Sequence, residues 1–158
     1  MEIFEEIEPL RAFLKGKRIA LNSIGLVPTM GALHSGHLAL IRACKEENGV
    51  TVSSIYVNPT QFNNQTDLDK YPRPLEADIE MLKAEGCEVL FVPQDAEMYS
   101  GQSMTFDFGA LDKVLEGKFR PGHFSGVALV VSKLFNIVQP DRAYFGQKDY
   151  QQFQIINR

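Results

Sequence analysis

Val27-Pro-Thr-Met-Gly-Ala-Leu-His-Ser-Gly-His37 joins an apolar, strand-like run at residues 24–27 to a helix-like pattern of apolar residues from Leu38 to Cys44. In a glycine-containing turn between a strand and a helix, the backbone can approach a phosphate closely. Free amide groups of the turn and the positive end of the helix dipole then hold the anion. Two imidazoles three residues apart can reach that anion from one side. The segment therefore predicts a nucleotide site.

Strand-like and helix-like segments alternate along the rest of the chain. Strands are predicted at residues 24–27, 50–57, 87–92, 104–108 and 143–145. Helices are predicted at residues 8–15 (ended by Gly16), from the turn to about Asn48, from Pro74 to Gly86, at 110–115, at 127–138 and from Lys148 onward, with a polar loop through Asn64 and Asp69. This alternation predicts an α/β fold, a Rossmann-like parallel sheet with helices on both faces. Ligands bind beyond the carboxyl ends of such strands, where residues 28–37, 58–62 and 146–152 fall.

Length and composition limit the function further. The 158 residues suit one domain, 1–158, and the net charge of −4 argues against a broad nucleic-acid surface. The longest apolar run, residues 127–131, is far shorter than the roughly 18 residues that a membrane span needs. The acidic N-terminus is unlike a secretory signal, and Cys44 and Cys87 lie among apolar neighbours, as buried free thiols do. We expect a cytoplasmic protein that binds neither nucleic acid nor membrane.

Several common site types do not fit the turn. The spacing of Gly31 and Gly36 resembles a P-loop, but His37 replaces the lysine and the Ser/Thr that would bind magnesium is missing. No G-x-G-x-x-G fingerprint is present. A zinc site of His34, His37 and His123 lacks a carboxylate at ligand spacing, so no metal site is predicted. The alternative is a purely structural turn in which the two histidines cap the helix.

Four segments, in this order, resemble the pantothenate synthetase (pantoate–β-alanine ligase) family. They are residues 27–37, Tyr56-Val-Asn-Pro-Thr-Gln-Phe62, Phe119-Arg-Pro-Gly-His-Phe124 and Tyr144-Phe-Gly-Gln-Lys-Asp-Tyr-Gln-Gln152. His34-Ser-Gly-His37 also matches the His-x-Gly-His element of the nucleotidyltransferase superfamily. The resemblance runs from about Leu10 to the last residue and implies the fold of the HIGH-motif nucleotidyltransferases.

The resemblance implies a two-step ligation. The pantoate carboxylate attacks the α-phosphate of ATP to give pantoyl adenylate and pyrophosphate, and the amine of β-alanine then displaces AMP to form pantothenate. ATP enters as a substrate with Mg²⁺, no cofactor is tightly bound, and the protein is a homodimer. Family members also have a smaller C-terminal domain that closes over ATP, and we expect residues 1–158 without it to turn over poorly. The alternatives are a nucleotide- or pantoate-binding domain without turnover and another adenylyltransferase of the superfamily.

The resemblance also implies the site residues. The ATP-binding residues are Met30, Gly31, Ala32, Leu33, His34, Ser35, Gly36, His37, Gly146, Gln147, Lys148 and Asp149. Of these, His34, His37 and Lys148 are the predicted catalytic residues, and His37 matches the family's proton donor. A hydrogen bond from His37 to phosphate oxygens that gain charge is sufficient for acceleration. Gln61 and Gln152 match the pantoate-binding glutamines, and Gln61 also matches the β-alanine site.

Other residues have two open interpretations. Arg120 and His123 either contact phosphate or β-alanine, or form a solvated loop with a helix-capping histidine. Asp149 either orients Lys148 or binds the ribose, or is an acid favoured at a helix N-terminus. Asn58 is expected to shape its turn rather than to contact a substrate.

Overall fold

A computed structural model describes residues 1–101 and 104–158, and its centre is a five-stranded sheet. The strands are β1 (Glu2–Phe4), β2 (Ile24–Thr29), β3 (Val50–Ile55), β4 (Val89–Phe91) and β5 (Arg142–Ala143). They are all parallel, in the order β1-β4-β3-β2-β5. The predicted α/β parallel fold is confirmed. The sequence did not predict β1, and the strand predicted at residues 104–108 is wrong, because this segment has no regular structure.

Eight helices are described in these ranges of the chain. They are α1 (Ile7–Ile19), α2 (Ser35–Glu47), α3 (Gln65–Asp69), α4 (Leu75–Ala84), α5 (Asp95–Met98), α6 (Glu116–Phe119), α7 (His123–Val138) and α8 (Tyr150–Ile156). Two 3₁₀ turns, Pro59–Gln61 and Gln147–Asp149, precede α3 and α8. Within the described residues, no helix is long and apolar enough to cross a membrane.

Several predicted helix bounds were wrong for local reasons. Helix α1 continues through Gly16, because the packing of Leu10 and Leu14 outweighs the low helix propensity of one glycine. The helix predicted at residues 110–115 is a series of turns, and α6 begins only after Leu115, which has a left-handed φ of 49°. The loop predicted through Asn64 contains α3, and the side chain of Asn64 caps it by accepting from the amide of Thr66 at 2.9 Å.

Apolar side chains cover both faces of the sheet. On one face α1 and α7 pack against the strands through residues such as Leu14 and Val138. On the other face α2 and α4 pack through Ile41 and Leu82. Cys44 and Cys87 are buried free thiols, as predicted. Burial raises the pKa of Cys44 to about 11 and that of Cys87 to about 12.

The strand order determines where a ligand can bind. From β2 the chain moves to one side, to β3 and β4, and later returns to place β5 on the other side of β2. The crevice between the carboxyl ends of β2 and β5 is therefore the topological switch point, where open α/β sheets bind ligands. The turn after β2 and the 3₁₀ turn after β5 border this crevice.

Candidate active site

A cavity of about 520 Å³ lies at the switch point. Its lining joins segments that are far apart in the sequence: the turn after β2, the turn after β3, and residues 145–152. The predicted site residues that line it are Met30, His34, Gly36, His37, Gln61, Gly146, Gln147, Lys148, Asp149 and Gln152. Apolar side chains of α7, among them Val127 and Val131, form its floor.

The remaining predicted ATP-binding residues, Gly31, Ala32, Leu33 and Ser35, form the turn behind the cavity lining. Gly31 and Ala32 both have left-handed backbones, with φ of 79° and 50°. The carboxylate of Asp78 accepts the amides of Ala32 and Leu33, each at 2.8 Å. The hydroxyl of Thr29 accepts the amide of Gly31 at 3.1 Å. Of the amides in this turn, those of Gly31, Ala32 and Leu33 are therefore not free for an anion, because the protein's own side chains already occupy them.

The two histidines at the start of α2 lie against each other, with ring centroids 4.1 Å apart. His34 is the N-cap residue, and its Nδ1 accepts the amide of Gly36 at 3.1 Å. Since Nδ1 is the acceptor, the proton of the neutral His34 ring is on Nε2, which can donate to a ligand. The capping role and a ligand-binding role are thus compatible.

His37 is half-buried in this cavity, and no group among the described residues pairs with its buried Nδ1. Burial lowers its pKa from 6.5, and the adjacent His34 lowers it further, while the carboxylates of Asp78 and Asp149 partly oppose the shift. His37 is therefore neutral near pH 7, and an arriving anion would favour its protonated form.

A buried amide network fixes the orientation of Gln61. Asn58 donates its amide to the carbonyl of Gly126 at 3.1 Å and to Oε1 of Gln61 at 3.2 Å. Its own Oδ1 accepts from the amide and the hydroxyl of Thr60, so Asn58 caps the 3₁₀ turn as predicted. With Oε1 engaged, Gln61 points its Nε2 donor at the sulfur of Met30, 2.9 Å away. Sulfur is a weak acceptor, which an oxygen of a ligand can replace.

Gln61 and Gln152 also border a second cavity of about 470 Å³. Arg120 and His123 line this cavity rather than the first. His123 is buried at the start of α7, and its Nδ1 donates to the carbonyl of Gln61 at 2.9 Å. Burial lowers the pKa of His123, so the ring is a neutral support of the Gln61 turn. At the cavity edge, Nη1 of Arg120 lies 3.8 Å from Oε2 of Glu116.

Lys148 and Asp149 are exposed on the rim of the first cavity, and the Asp149 side chain does not cap α8. Gln152 is half-buried, whereas the neighbouring Gln151 is buried and binds the carbonyls of Leu111 and Val114. Among the described residues, no group of three or more His, Cys, Asp or Glu side chains could hold a metal ion.

Sequence reasoning did not identify Asp78 as a site residue. It lies on α4, 45 residues beyond Leu33, within an ordinary amphipathic pattern of Leu75, Ile79 and Leu82. An acidic residue is common in the first turn of a helix, so its type carried no signal. Only its position on the buried face of α4, beside the apolar Leu82, could have drawn attention to it.

Fold and cavity together define an α/β domain that has a parallel sheet, a cavity at the switch point, and paired histidines at the start of the helix after β2. The family model for pantoate-beta-alanine ligase matches residues 2–158. The chain therefore belongs to the pantoate–β-alanine ligase family.

Individual relatives agree with this assignment. The chain is 59% identical over 159 residues to the pantothenate synthetase of Allorhizobium ampelinum, covering all of this chain and 55% of that protein. It is 55% identical over 157 residues to the pantothenate synthetase of Aquifex aeolicus, covering 99% of this chain and 56% of the relative. The chain thus spans about half the length of the curated relatives it matches.

Solved structures of the family share the fold. A pantothenate synthetase from Thermus thermophilus superimposes with a TM-score of 0.92 at 46% identity, covering all of this chain and 56% of that chain. A pantoate-beta-alanine ligase from Francisella tularensis superimposes with a TM-score of 0.94 at 44% identity, covering 99% of this chain and 60% of that chain. The Francisella structure is described as complexed with beta-gamma ATP and beta-alanine.

Proposed function

We propose that residues 1–158 are the ATP- and pantoate-binding domain of a pantoate–β-alanine ligase. The observation that carries this proposal is the meeting of His34, His37, Gln61, Lys148 and Gln152 around one cavity at the switch point. Binding is proposed for these residues. Complete ligation is proposed for a protein that also contains the part of the family's length that this chain does not cover, since the chain covers 55–56% of its curated relatives.

In the proposed reaction, a carboxylate oxygen of pantoate attacks the α-phosphorus of ATP. The bond from that phosphorus to the bridging oxygen breaks, pyrophosphate leaves, and pantoyl adenylate forms. The amine of β-alanine then attacks the acyl carbon, loses a proton, and AMP departs with the electron pair of the acyl–oxygen bond. Each step develops charge on phosphate oxygens, so fixed donors near those oxygens lower the barrier.

The histidines and Lys148 supply those donors. Nε2 of His34 is protonated in the neutral ring because Nδ1 accepts from Gly36. Burial keeps His37 neutral until the triphosphate arrives, and the anion then favours proton uptake by the ring. Lys148, on the exposed rim, adds a point charge that can follow the leaving pyrophosphate.

The two glutamines are proposed to bind the organic substrates. Gln61 offers a donor, since Asn58 already occupies its carbonyl oxygen, and a carboxylate or hydroxyl oxygen of pantoate is a better acceptor than the Met30 sulfur. A neutral amide orients the carboxylate without the full charge pairing that would reduce its reactivity. Gln61 also borders the second cavity, from which β-alanine can approach the adenylate.

We also propose a metal ion for the substrate, an oligomeric state and a cellular location. Mg²⁺ is proposed to arrive on the triphosphate of ATP as part of the substrate. Homodimerisation and a cytoplasmic location are proposed from the family resemblance, and the buried thiols of Cys44 and Cys87 suit a reducing compartment.

Pyrophosphate release tests the proposal, measured with Mg-ATP and a panel of hydroxy acids that includes pantoate. We expect pantoate-dependent release, weak for this chain, and loss of release in Gln152→Leu, while Gln154→Leu on the same helix serves as the control. Melting-temperature shifts with ATP or pantoate but no release would support the binding-domain alternative. Adenylation of another acid and none of pantoate would overturn the proposal in favour of a different adenylyltransferase.

A further inference from the structure

We propose that Asp78 is a positioning residue of the nucleotide site. Its carboxylate occupies the anion-binding position formed by the amides of Ala32 and Leu33, and it thereby directs bound phosphate to the start of α2. The inference rests on the proposed function for the identity of the anion. The geometry of Asp78 itself does not depend on that identity.

The carboxylate makes a two-pronged contact with consecutive amides. Oδ2 of Asp78 accepts from Ala32 and Oδ1 accepts from Leu33, both at 2.8 Å, and the side chain is 1% exposed. Consecutive amides that converge on one point form the kind of concavity that binds phosphate oxygens in other proteins. Here a protein carboxylate occupies it, so a triphosphate must use the next available donors, at His34 and His37.

The turn needs this contact to keep its shape. Ala32 has a φ of 50°, which is unfavourable for a residue with a Cβ atom, and Gly31 has a φ of 79°. A Cβ on Gly31 would lie 2.9 Å from Oδ2 of Asp78 and 3.1 Å from Cγ2 of Ile55. Two charge-assisted hydrogen bonds to a buried carboxylate stabilise the otherwise strained conformation. The left-handed turn then sets the direction in which α2 and its histidines leave β2.

The charge of Asp78 also acts on His37. The charged groups that face this ring are His34 from the same turn, Asp149 from the 3₁₀ turn before α8, and Asp78 from α4. Asp78 and Asp149 raise the pKa of His37 against the larger effects of burial and His34. A carboxylate that shapes the turn thereby also makes His37 easier to protonate when phosphate binds.

NMR titration of the His37 ring in the ligand-free chain tests the inference, comparing wild type with Asp78→Asn. Asparagine keeps the size but removes the charge and places an NH₂ against an amide. We expect the pKa of His37 to fall below its wild-type value and ATP affinity to drop about tenfold. Glu80→Gln, an exposed carboxylate on the same helix paired with Lys83, should change neither. Two results in a folded Asp78→Asn chain would overturn the inference. One is an unchanged pKa of His37, and the other is a pKa of His37 raised toward 6.5, as looser packing around the ring would produce.

If Asp78→Asn does not fold, amide hydrogen exchange on the wild-type chain tests the inference without a variant, because it reports directly on the hydrogen bonds that Asp78 accepts. The amides of Ala32 and Leu33 should exchange at least about tenfold more slowly than that of the exposed Ser35. Equal rates would overturn the inference. If wild type binds no ATP, the proposed function fails, while the exchange rates and the His37 titration still decide the role of Asp78.

Discussion

Gly126 lies where α7 crosses the turn that carries Gln61, and replacing it by alanine tests this packing. A Cβ at Gly126 would lie 2.3 Å from the carbonyl oxygen of Thr60, 2.6 Å from its carbonyl carbon, and 2.8 Å from Cα of Gln61. All three atoms belong to the backbone and cannot rotate away. The turn or the helix must therefore move by about 1 Å, which displaces Gln61 and disturbs the bond from Asn58 to the Gly126 carbonyl.

The expected magnitude follows from two opposing effects. Overpacking of this kind costs about 1–3 kcal/mol. Alanine gains about 1 kcal/mol over glycine inside a helix. The net change for Gly126→Ala is a loss of roughly 0–2 kcal/mol, which lowers the melting temperature by up to about 8 °C in a chain of this size.

Gly16→Ala is the matched control, since Gly16 also lies inside a helix but a Cβ there meets nothing within 4 Å. Only the propensity gain remains, so its melting temperature should rise by about 2–4 °C. Thermal unfolding followed by circular dichroism measures both, and pantoate titration reports the displacement of Gln61. Equal stabilisation by both substitutions would refute the packing described for α7.

Three further predictions concern the turn, the histidines and the thiols. Ala32→Gly should raise the free energy of unfolding by about 1 kcal/mol, because glycine adopts the left-handed φ without strain. Urea unfolding measures this change, and a decrease in the free energy of unfolding, as Ala→Gly causes inside a helix, would contradict the prediction. Burial lowers the pKa of His37 and His123 below 6.5, so the unfolded chain binds more protons there and the free energy of unfolding should fall from about pH 7 to about pH 5; the same urea series would show no such slope if the rings were exposed. Cys44 and Cys87 should resist Ellman's reagent until the chain is denatured, because burial raises their thiol pKa to about 11 and 12; a thiol that reacts rapidly in the folded chain would be inconsistent with this core.

The alternation of β-branched runs and amphipathic helices was sufficient to predict the parallel sheet and the segments at its carboxyl edge. Those signals are local, because strands such as residues 50–55 and helices such as α7 carry their burial pattern in their own residues. The edge strand β1 was not predicted, since only three residues of it pair, and their partners in β4 lie far along the chain. The turns around Leu115 depend on the long-range contacts of Gln151, which no local pattern records.

Recognisable motifs indicated residues that the fold brings to one cavity, but they did not indicate the side chain that supports the turn behind it. Met30 and His37 stand in a distinctive order, so the sequence indicated them directly. Asp78 is connected to the turn only through backbone amides, and a backbone amide has no sequence signature. For the same reason, the sequence indicates that a turn follows β2, but not that side chains of the protein occupy the amides of Gly31 and Leu33.

Calorimetric titration of pantoate into this chain is the sharpest test of the proposed site, with wild type, Gln61→Leu and the surface control Gln65→Leu measured in parallel. We predict that pantoate binds wild type and the control alike, and that Gln61→Leu loses about tenfold or more in affinity while ATP binding is retained. Undetectable pantoate binding to wild type, or an unchanged affinity in a folded Gln61→Leu chain, would contradict the proposed site.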